Sequence, residues 1–539
     1  MILTILSFIF VAFGQPAWQP YLGLFAAVIG YALFWRVLLD IPSKKKRFWL
    51  ATAWLMGVQL IQLSWFISHP YLYIYFLWIV LSFVFSLPFG AIALLIQRDK
   101  VSKTSTLLFI PAFWVLFEWS RLFILSGFSW NPAGIALAGN LFSLQMASVA
   151  GVFGLSYWVF FTNLLALRAF ITKKIVPWMV AAFAPFVLGA LHFHYYEAQM
   201  KESQQDSISA VLVQTSFPVE EAMHFESQEA LVAFVTKEWR QILNITAHQK
   251  GKKIDLMALP EFVVPFGTYT FVFPYEEAKK EIIAVFGPES ESSFPPMELP
   301  FGVFRENQWW VNNAFWAQTI SNLFNSGVVV GLEDVEDFPS GEREYYSSAL
   351  YFEPHQDPFL PQRYAKRVLV PMGEYIPFSF LKDLAAKYGI CGSFTCGEEA
   401  VAWSSGSSKF GVSICYEETF GHLMRENKTK GAEFLVNITS DAWYPNSRLP
   451  LQHLEHARLR TVENGFPLVR ACNTGVTSAI DALGRDIAIL SVDESVSDSL
   501  FVKVPAFHYD TIYSIFGDWL IVGISIISIF LSTLLRFRD

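Results

Sequence analysis

Seven apolar runs fill the first 195 residues, at roughly 1–14, 20–39, 48–67, 71–96, 105–126, 141–168 and 175–193, and an eighth covers about 514–535. Most reach the ~20 residues that a helix needs to cross a hydrocarbon layer. Lipid offers no partner for backbone polar groups, so such runs fold as helices. The first run is short, but it lacks the basic start of a cleaved leader and is read as a span. Hydrophobic residues make up 53% of the 539 and charged residues only 16%, as expected for a membrane part joined to one enzyme-sized domain. The net charge of −8 and the absence of a basic stripe exclude nucleic acid as a partner.

Basic residues orient the runs. Lys44, Lys45, Lys46 and Arg47 separate runs two and three; Arg98, Lys100 and Lys103 separate four and five; Lys173 and Lys174 separate six and seven; Arg536 and Arg538 close the chain. The short loops 15–19, 68–70 and 127–140 contain neither Lys nor Arg. By the positive-inside rule the basic loops and both termini are cytoplasmic, and the long segment before run eight lies on the outer face. The expected organisation is therefore 1–195 with seven transmembrane helices, 196–512 as an extracytoplasmic catalytic domain, and 513–539 with the eighth helix and a cytoplasmic end. Glu118 and Arg121, i,i+3 neighbours near the outer end of run five, read either as a contact to a lipid headgroup or the outer domain, or as a mutually neutralising pair.

From Ile208 the pattern changes to short β-branched runs alternating with amphipathic stretches. Strands are expected at 208–213, 254–259, 327–331, 349–352, 410–414, 434–437 and 467–470, with a helix opening near Pro450 and closing at Gly465. Alternation of this kind predicts an α/β domain, a sheet covered by helices. His453 and His456 stand on that helix without an apparent third ligand, so they read as solvated or satisfied side chains, and no metal is assigned.

Three strand-end residues carry chemistry: Glu261 in Leu259-Pro260-Glu261, Lys366 in Tyr364-Ala365-Lys366, and Cys415 in Gly411-Val412-Ser413-Ile414-Cys415-Tyr416-Glu417. A free thiol titrates near ~8.5 and needs help to attack at neutral pH. A helix starting after Cys415 would favour thiolate through its dipole. No histidine accompanies these motifs, so Glu261 is the expected general base and Lys366 the positive charge for a tetrahedral oxyanion. Each residue alone reads as core or solvated surface; jointly they read as a thiol site that attacks esters or amides. Cys391 and Cys396 either form a small-loop disulfide or stand as two thiols. The aromatic stretch Phe266–Phe273 and the later Trp309-Trp310 read either as a lid dipping into lipid or as packing against the membrane part.

The order Glu-Lys-Cys resembles the triad of the nitrilase (carbon–nitrogen hydrolase) superfamily. Over nearly its full length the chain is similar to the membrane branch of that superfamily, the bacterial apolipoprotein N-acyltransferases. Lys366 continues as Arg367-Val368-Leu369-Val370-Pro371-Met372-Gly373-Glu374-Tyr375-Ile376-Pro377, close to the family's K-x-x-L-V-P-F-G-E-x-x-P. Ser440-Asp441-Ala442-Trp443-Tyr444, Gln452-His453, Arg458 to Asn464 and Arg470 to Thr477 also match, as do Glu118-Trp119, Arg121, Gly127-Phe128 and Trp130. Ser440 departs from the usual Asn, and residues 445–449 lack the usual glycines.

The resemblance implies a polytopic membrane domain of eight transmembrane helices and an extracytoplasmic αββα nitrilase-like sandwich. It implies an enzyme of the bacterial inner membrane, working on the periplasmic side as a monomer and without cofactor. Cys415 would take an acyl chain from a phospholipid as a thioester and pass it to the α-amino group of a diacylglyceryl-cysteine apolipoprotein. Glu261 would accept the proton and Lys366 stabilise the oxyanion. Glu374 would orient or balance Lys366, and Tyr416, Glu417 and Trp443 would belong to the pocket. The rival readings are a membrane-tethered amidase for small amides, a transporter with an outer binding module, and an inactive scaffold.

Overall fold

The computed structural model describes residues 1–202, 207–219, 225–355, 362–387 and 393–538. The Cys391–Cys396 pairing lies outside these described residues.

Each apolar run is helical: Ile2–Phe13, Pro20–Leu38, Lys44–Gln62, Tyr73–Ala93, Thr104–Ser120, Ala147–Thr172, Val176–Glu202 and Trp519–Arg538. Five of them meet the length and composition of a membrane span: Pro20–Leu38, Tyr73–Ala93, Thr104–Phe123, Ala147–Thr172 and Val176–Glu202. Ile2–Phe13 is too short, with 12 residues, and Lys44–Gln62 opens on four basic side chains. Helix Ala147–Thr172 is broken at Gly151, whose φ of +63° and ψ of −171° restart the helix at Val152.

The domain between helices Val176–Glu202 and Trp519–Arg538 is built on two six-stranded sheets among the described residues. The first runs, in spatial order, Asp498–Pro505, Ser207–Gln214, Leu256–Ala258, Gly327–Asp337, Arg343–Phe352 and Gln362–Ala365. The second runs Asp486–Ile489, Ser478–Ile480, Leu468–Cys472, Phe434–Thr439, Ser408–Ile414 and Ala402–Ser405. The central strands of each are parallel and the outer ones antiparallel. Alternate residues (Ala210, Leu212 and Val329 from one sheet, Phe410, Val412 and Val436 from the other) meet in one buried layer. The outward faces pack on helices. Val211, Val213 and Met257 meet Trp239 and Trp316, whereas Leu435 and Leu468 meet helix Leu449–Asn464. This is a helix–sheet–sheet–helix sandwich, and burial on both faces explains why the central strands read as continuous apolar runs.

Part of the aromatic insert packs inside the domain, while Phe304 and Trp309 stay exposed. Val272, Phe273, Phe301 and Val311 are buried with Trp239 and Trp316 in the outer helical layer, and strands Phe273–Pro274, Gln308–Val311 and Gly302–Arg305 form a small sheet there. Val272 and Phe273 are core residues, and Phe266 and Phe271 are half-buried.

The second sheet's helical layer docks on the membrane bundle, and apolar residues of both share one cluster. Arg448 Nη1 donates to Ala17 O (3.0 Å), Gln452 Nε2 to Gln62 O (2.9 Å) and Tyr416 Oη to Gly127 O (2.6 Å). These contacts lie at the end of the bundle bearing the loops without basic residues. Arg121 is buried under the Phe85, Phe117 and Phe128 rings, and Glu118 Oε1 accepts from Trp114 Nε1 and Ala133 N, both at 2.7 Å. No ion pair within 4 Å joins the two side chains, but their buried charges attract one another, as a neutralising pair would.

A carboxylate of the two-sheet domain caps the broken helix Ala147–Thr172: Glu463 Oε1 accepts from Val152 N at 2.8 Å, and Oε2 lies 2.8 Å from Arg460 Nη1. Burial raises Glu463 to about 7 despite Arg460. A folded-state value above the unfolded one means that the native protein holds the proton between those two pH values. Its stabilising contribution is complete below about 4.5 and is lost as pH rises through about 7. Glu463→Gln is therefore expected to flatten the fall in thermal midpoint between pH 5 and 8, measured in detergent by differential scanning fluorimetry.

Candidate active site

Glu261 follows strand Leu256–Ala258, and the ladder continues past the strand: Leu259 N donates to Val329 O (2.8 Å) and Gly331 N to Pro260 O (3.1 Å). A Cβ on Gly331 would stand 2.5 Å from Glu261 Cα and 2.6 Å from Pro260 O, so only glycine allows the backbone to pass here. Gly331→Ala must displace the Glu261 backbone. A misplacement of about 1 Å can cost on the order of 10²-fold in rate, and a fall of that size in kcat/KM is expected.

Lys366 follows strand Gln362–Ala365 and is buried, its N–H donating to Ser347 O at 2.8 Å. Its Nζ lies 2.8 Å from Glu261 Oε1 and 2.6 Å from Glu374 Oε1. The second oxygens are also held: Glu261 Oε2 accepts from Ser440 N (3.2 Å) and Glu374 Oε2 from Val370 N (2.8 Å). Cys415 ends strand Ser408–Ile414 in a left-handed conformation, φ +54°. Such a conformation is costly for a residue with a Cβ and marks a sharp elbow. The Cys415 thiol and the Glu261 carboxyl are near enough to interact electrostatically. Glu261, Lys366 and Cys415, 154 residues apart along the chain from first to last, thus converge on one spot, with Glu374 on the far side of Lys366.

The charges fit a proton-sharing pair. Burial pushes the Cys415 thiol well above its ordinary range, the neighbouring Glu261 charge adds to this, and Lys366 opposes it. Burial also raises Glu261, with Lys366 opposing and Glu374 adding. For Lys366 burial works against the charge, but the two carboxylates outweigh it and hold the ammonium well above the usual lysine range. The elbow continues as a single tight turn, Cys415–Thr419, ahead of helix Gly421–Thr429. The elbow therefore lacks the helix dipole expected to support a preformed thiolate, and burial keeps the Cys415 thiol neutral.

Glu417 is a brace inside the protein rather than part of the pocket wall. Fully buried, it accepts from Arg367 N (2.5 Å), Val368 N (3.2 Å), Ile414 N (2.8 Å) and Tyr364 Oη (2.9 Å), joining the Lys366 segment to the Cys415 elbow. Glu417→Leu leaves three N–H donors and a hydroxyl buried without partners, so a loss of about 3–5 kcal/mol in unfolding free energy is expected from denaturant titration. Tyr416 stacks on Trp130 (6.1 Å, 15°), and Trp443 stacks on His69 (5.5 Å, 10°), so both face residues of the membrane bundle.

His453 and His456 are buried, not solvated. His453 is fully partnered beneath Cys415, whereas His456 has its ring edge-on to Trp130 (5.2 Å, 86°). Among the described residues no group of three His, Cys, Asp or Glu side chains is arranged to hold a metal. The backbone N–H of Ser440 and the side chain of Asn437, which donates to Cys415 O at 3.1 Å, were not legible as site residues. Backbone donors carry no sequence signal, and Asn437 sits in the middle of an apolar strand.

A carbon–nitrogen hydrolase family model matches residues 227–498, and an apolipoprotein N-acyltransferase N-terminal domain model matches residues 10–165. The apolipoprotein N-acyltransferase of Chlamydia pneumoniae is 32% identical over 536 residues, covering 96% of this chain and 93% of that protein. That of Chlamydia caviae is 31% identical, covering 97% and 95%; that of Haemophilus ducreyi is 26% identical, covering 98% and 96%. With both family models in chain order and a relative matched almost end to end, the chain belongs to the apolipoprotein N-acyltransferase family of the carbon–nitrogen hydrolase superfamily.

Proposed function

We propose that this protein transfers a fatty acyl chain from a phospholipid to the α-amino group of a diacylglyceryl-cysteine apolipoprotein, through a thioester on Cys415. The observation that carries the reading is the Glu261–Lys366–Cys415 cluster lying directly above the membrane bundle, next to the Tyr416–Gly127 contact. In the first half-reaction the Cys415 sulfur attacks the ester carbonyl while Glu261 takes the thiol proton. The oxyanion develops beside the Lys366 ammonium, with Glu374 balancing its charge. Collapse breaks the carbonyl–oxygen bond, and the departing alkoxide takes the proton back from Glu261. In the second, the amine attacks the thioester, Glu261 accepts its proton, and the thiol is restored. A covalent intermediate of this kind gives ping-pong kinetics.

The same reading takes all eight helices as spans, with 1–195 and 513–539 in the inner membrane and 196–512 as the catalytic domain on the periplasmic side. The pattern of basic loops and the docking of the domain on the opposite end of the bundle support it. The enzyme acts as a monomer and without cofactor. Tyr416 and Trp443 line the substrate path, since each stacks on an aromatic residue of the membrane part. Labelled phospholipid and a synthetic diacylglyceryl-cysteine peptide discriminate the possibilities. A triacylated peptide is expected, whereas release of free fatty acid only, or turnover of small amides instead, would favour the amidase.

A further inference from the structure

Beneath the Cys415 elbow lies a charged cluster that the proposed reaction does not use. His453, Glu418, Asp441 and Arg470 come from four separate segments, and all are buried to 96% or more. His453 Nδ1 is hydrogen-bonded to Asp441 Oδ1 (3.1 Å). His453 Nε2–H donates to the Cys415 carbonyl oxygen (3.3 Å) and lies 3.0 Å from Glu418 Oε1, which is 2.7 Å from Arg470 Nη2. Both ring nitrogens are thus engaged. The same cluster reaches the other reactant. Asp441 follows Ser440, whose N–H holds Glu261 Oε2, and Asp441 N itself donates to Thr474 O (3.0 Å).

We infer that His453 is a positioning residue: it fixes the strained Cys415 peptide through its carbonyl and, through Asp441, the Ser440 N–H that aims Glu261 at the thiol. The cluster therefore sets the register between nucleophile and base from below. This register needs an active support. Cys415 sits in a left-handed conformation that a Cβ disfavours, and its carbonyl is held only by Asn437 and His453 among the described residues. A loose shell behind such a pair leaves the reacting atoms present but misaligned. Helix Leu449–Asn464 carries the imidazole, so the docking of that helix on the membrane bundle bears directly on the elbow.

The role rests on Cys415 being the nucleophile, and the test separates the two ideas. The full-length protein in detergent is treated with iodoacetamide, and carboxamidomethylation of the Cys415 peptide is followed by mass spectrometry. In parallel, acylation by phospholipid is followed in a single turnover. His453→Leu is expected to slow both reactions at Cys415 by on the order of 10- to 100-fold, with the half-saturating phospholipid concentration changed less than about threefold. His453→Gln, which keeps a donor near the Cys415 carbonyl, is expected to recover most of the loss. Asp441→Asn serves if His453→Leu does not fold, with a loss of similar size expected. Rates within about threefold of the parent for both, or no recovery with Gln despite an unchanged melting point, would overturn the positioning role. Absence of an acyl adduct in the parent, with the alkylation pattern intact, would instead count against the acyltransferase reading alone.

Discussion

Cys415→Ser is expected to abolish acyl transfer, by on the order of 10⁴-fold or more, while leaving the protein folded. A serine hydroxyl is a far weaker acid than a thiol and gives its proton to a carboxylate far less readily. Loss of an activated nucleophile removes the covalent route altogether, leaving only binding and electrostatic effects. Structurally the exchange is mild, because the side chains differ by one atom and the elbow is held by backbone contacts: Asn437 and His453 on the carbonyl, Glu417 on the Ile414 N–H. The melting midpoint should therefore move little. A parallel loss of activity and fold would mean that the sulfur contributes by packing.

Lys366→Met should be costly in two ways that can be measured apart. In the proposed reaction the ammonium stabilises the oxyanion, and removal of such a donor typically costs about 3 kcal/mol in the transition state, or 10²- to 10³-fold in kcat. It is also the counter-charge for two carboxylates, Glu261 at 2.8 Å and Glu374 at 2.6 Å, in a setting where the lysine is 1% exposed. Breaking a buried pair by deleting one partner typically costs about 3–5 kcal/mol. Repulsion between the two carboxylates should push Glu261 further up, so the pH–rate profile should also shift. With Glu261 as base, activity falls as pH drops through its folded-state value, and in Lys366→Met the acid limb moves to higher pH. Adding Glu374→Gln relieves the repulsion, so the double variant should be more stable than Lys366→Met alone. Thermal midpoints and kcat across pH 5 to 9 read both effects.

The parts of the molecule that were legible in the sequence are those written in local pattern. Apolar runs of span length, Pro450 and Gly465 bracketing a helix, and Glu261, Lys366 and Cys415 each closing a strand-like run all rest on short-range rules. What could not be read depends on which segments meet. Glu417 reads as an ordinary carboxylate beside the nucleophile; only folding brings Tyr364, Arg367, Val368 and Ile414 around it. His453 and His456 lie beside the polar face of an amphipathic helix, yet that helix is covered by the sheet on one side and the membrane bundle on the other, so its polar face is interior as well. The aromatic insert reads either as a lid or as packing against the membrane part, because glycine-hinged aromatic residues beside a site facing lipid suit both. In the fold its buried side chains complete the outer helical layer. Strands Gln362–Ala365 and Ser478–Ile480 are short and half polar, and their pairing partners supply the order that their own residues do not.

The central claim is that the sulfur of Cys415 carries the acyl group between two lipid substrates. Intact-protein mass spectrometry after incubation with phospholipid alone tests it most directly. One added acyl mass is predicted, located by peptide mapping to Cys415, released by hydroxylamine and discharged on addition of diacylglyceryl-cysteine peptide. Transfer to the peptide by a protein that never gains the acyl mass, or an adduct that maps elsewhere and persists in Cys415→Ser, would contradict the account.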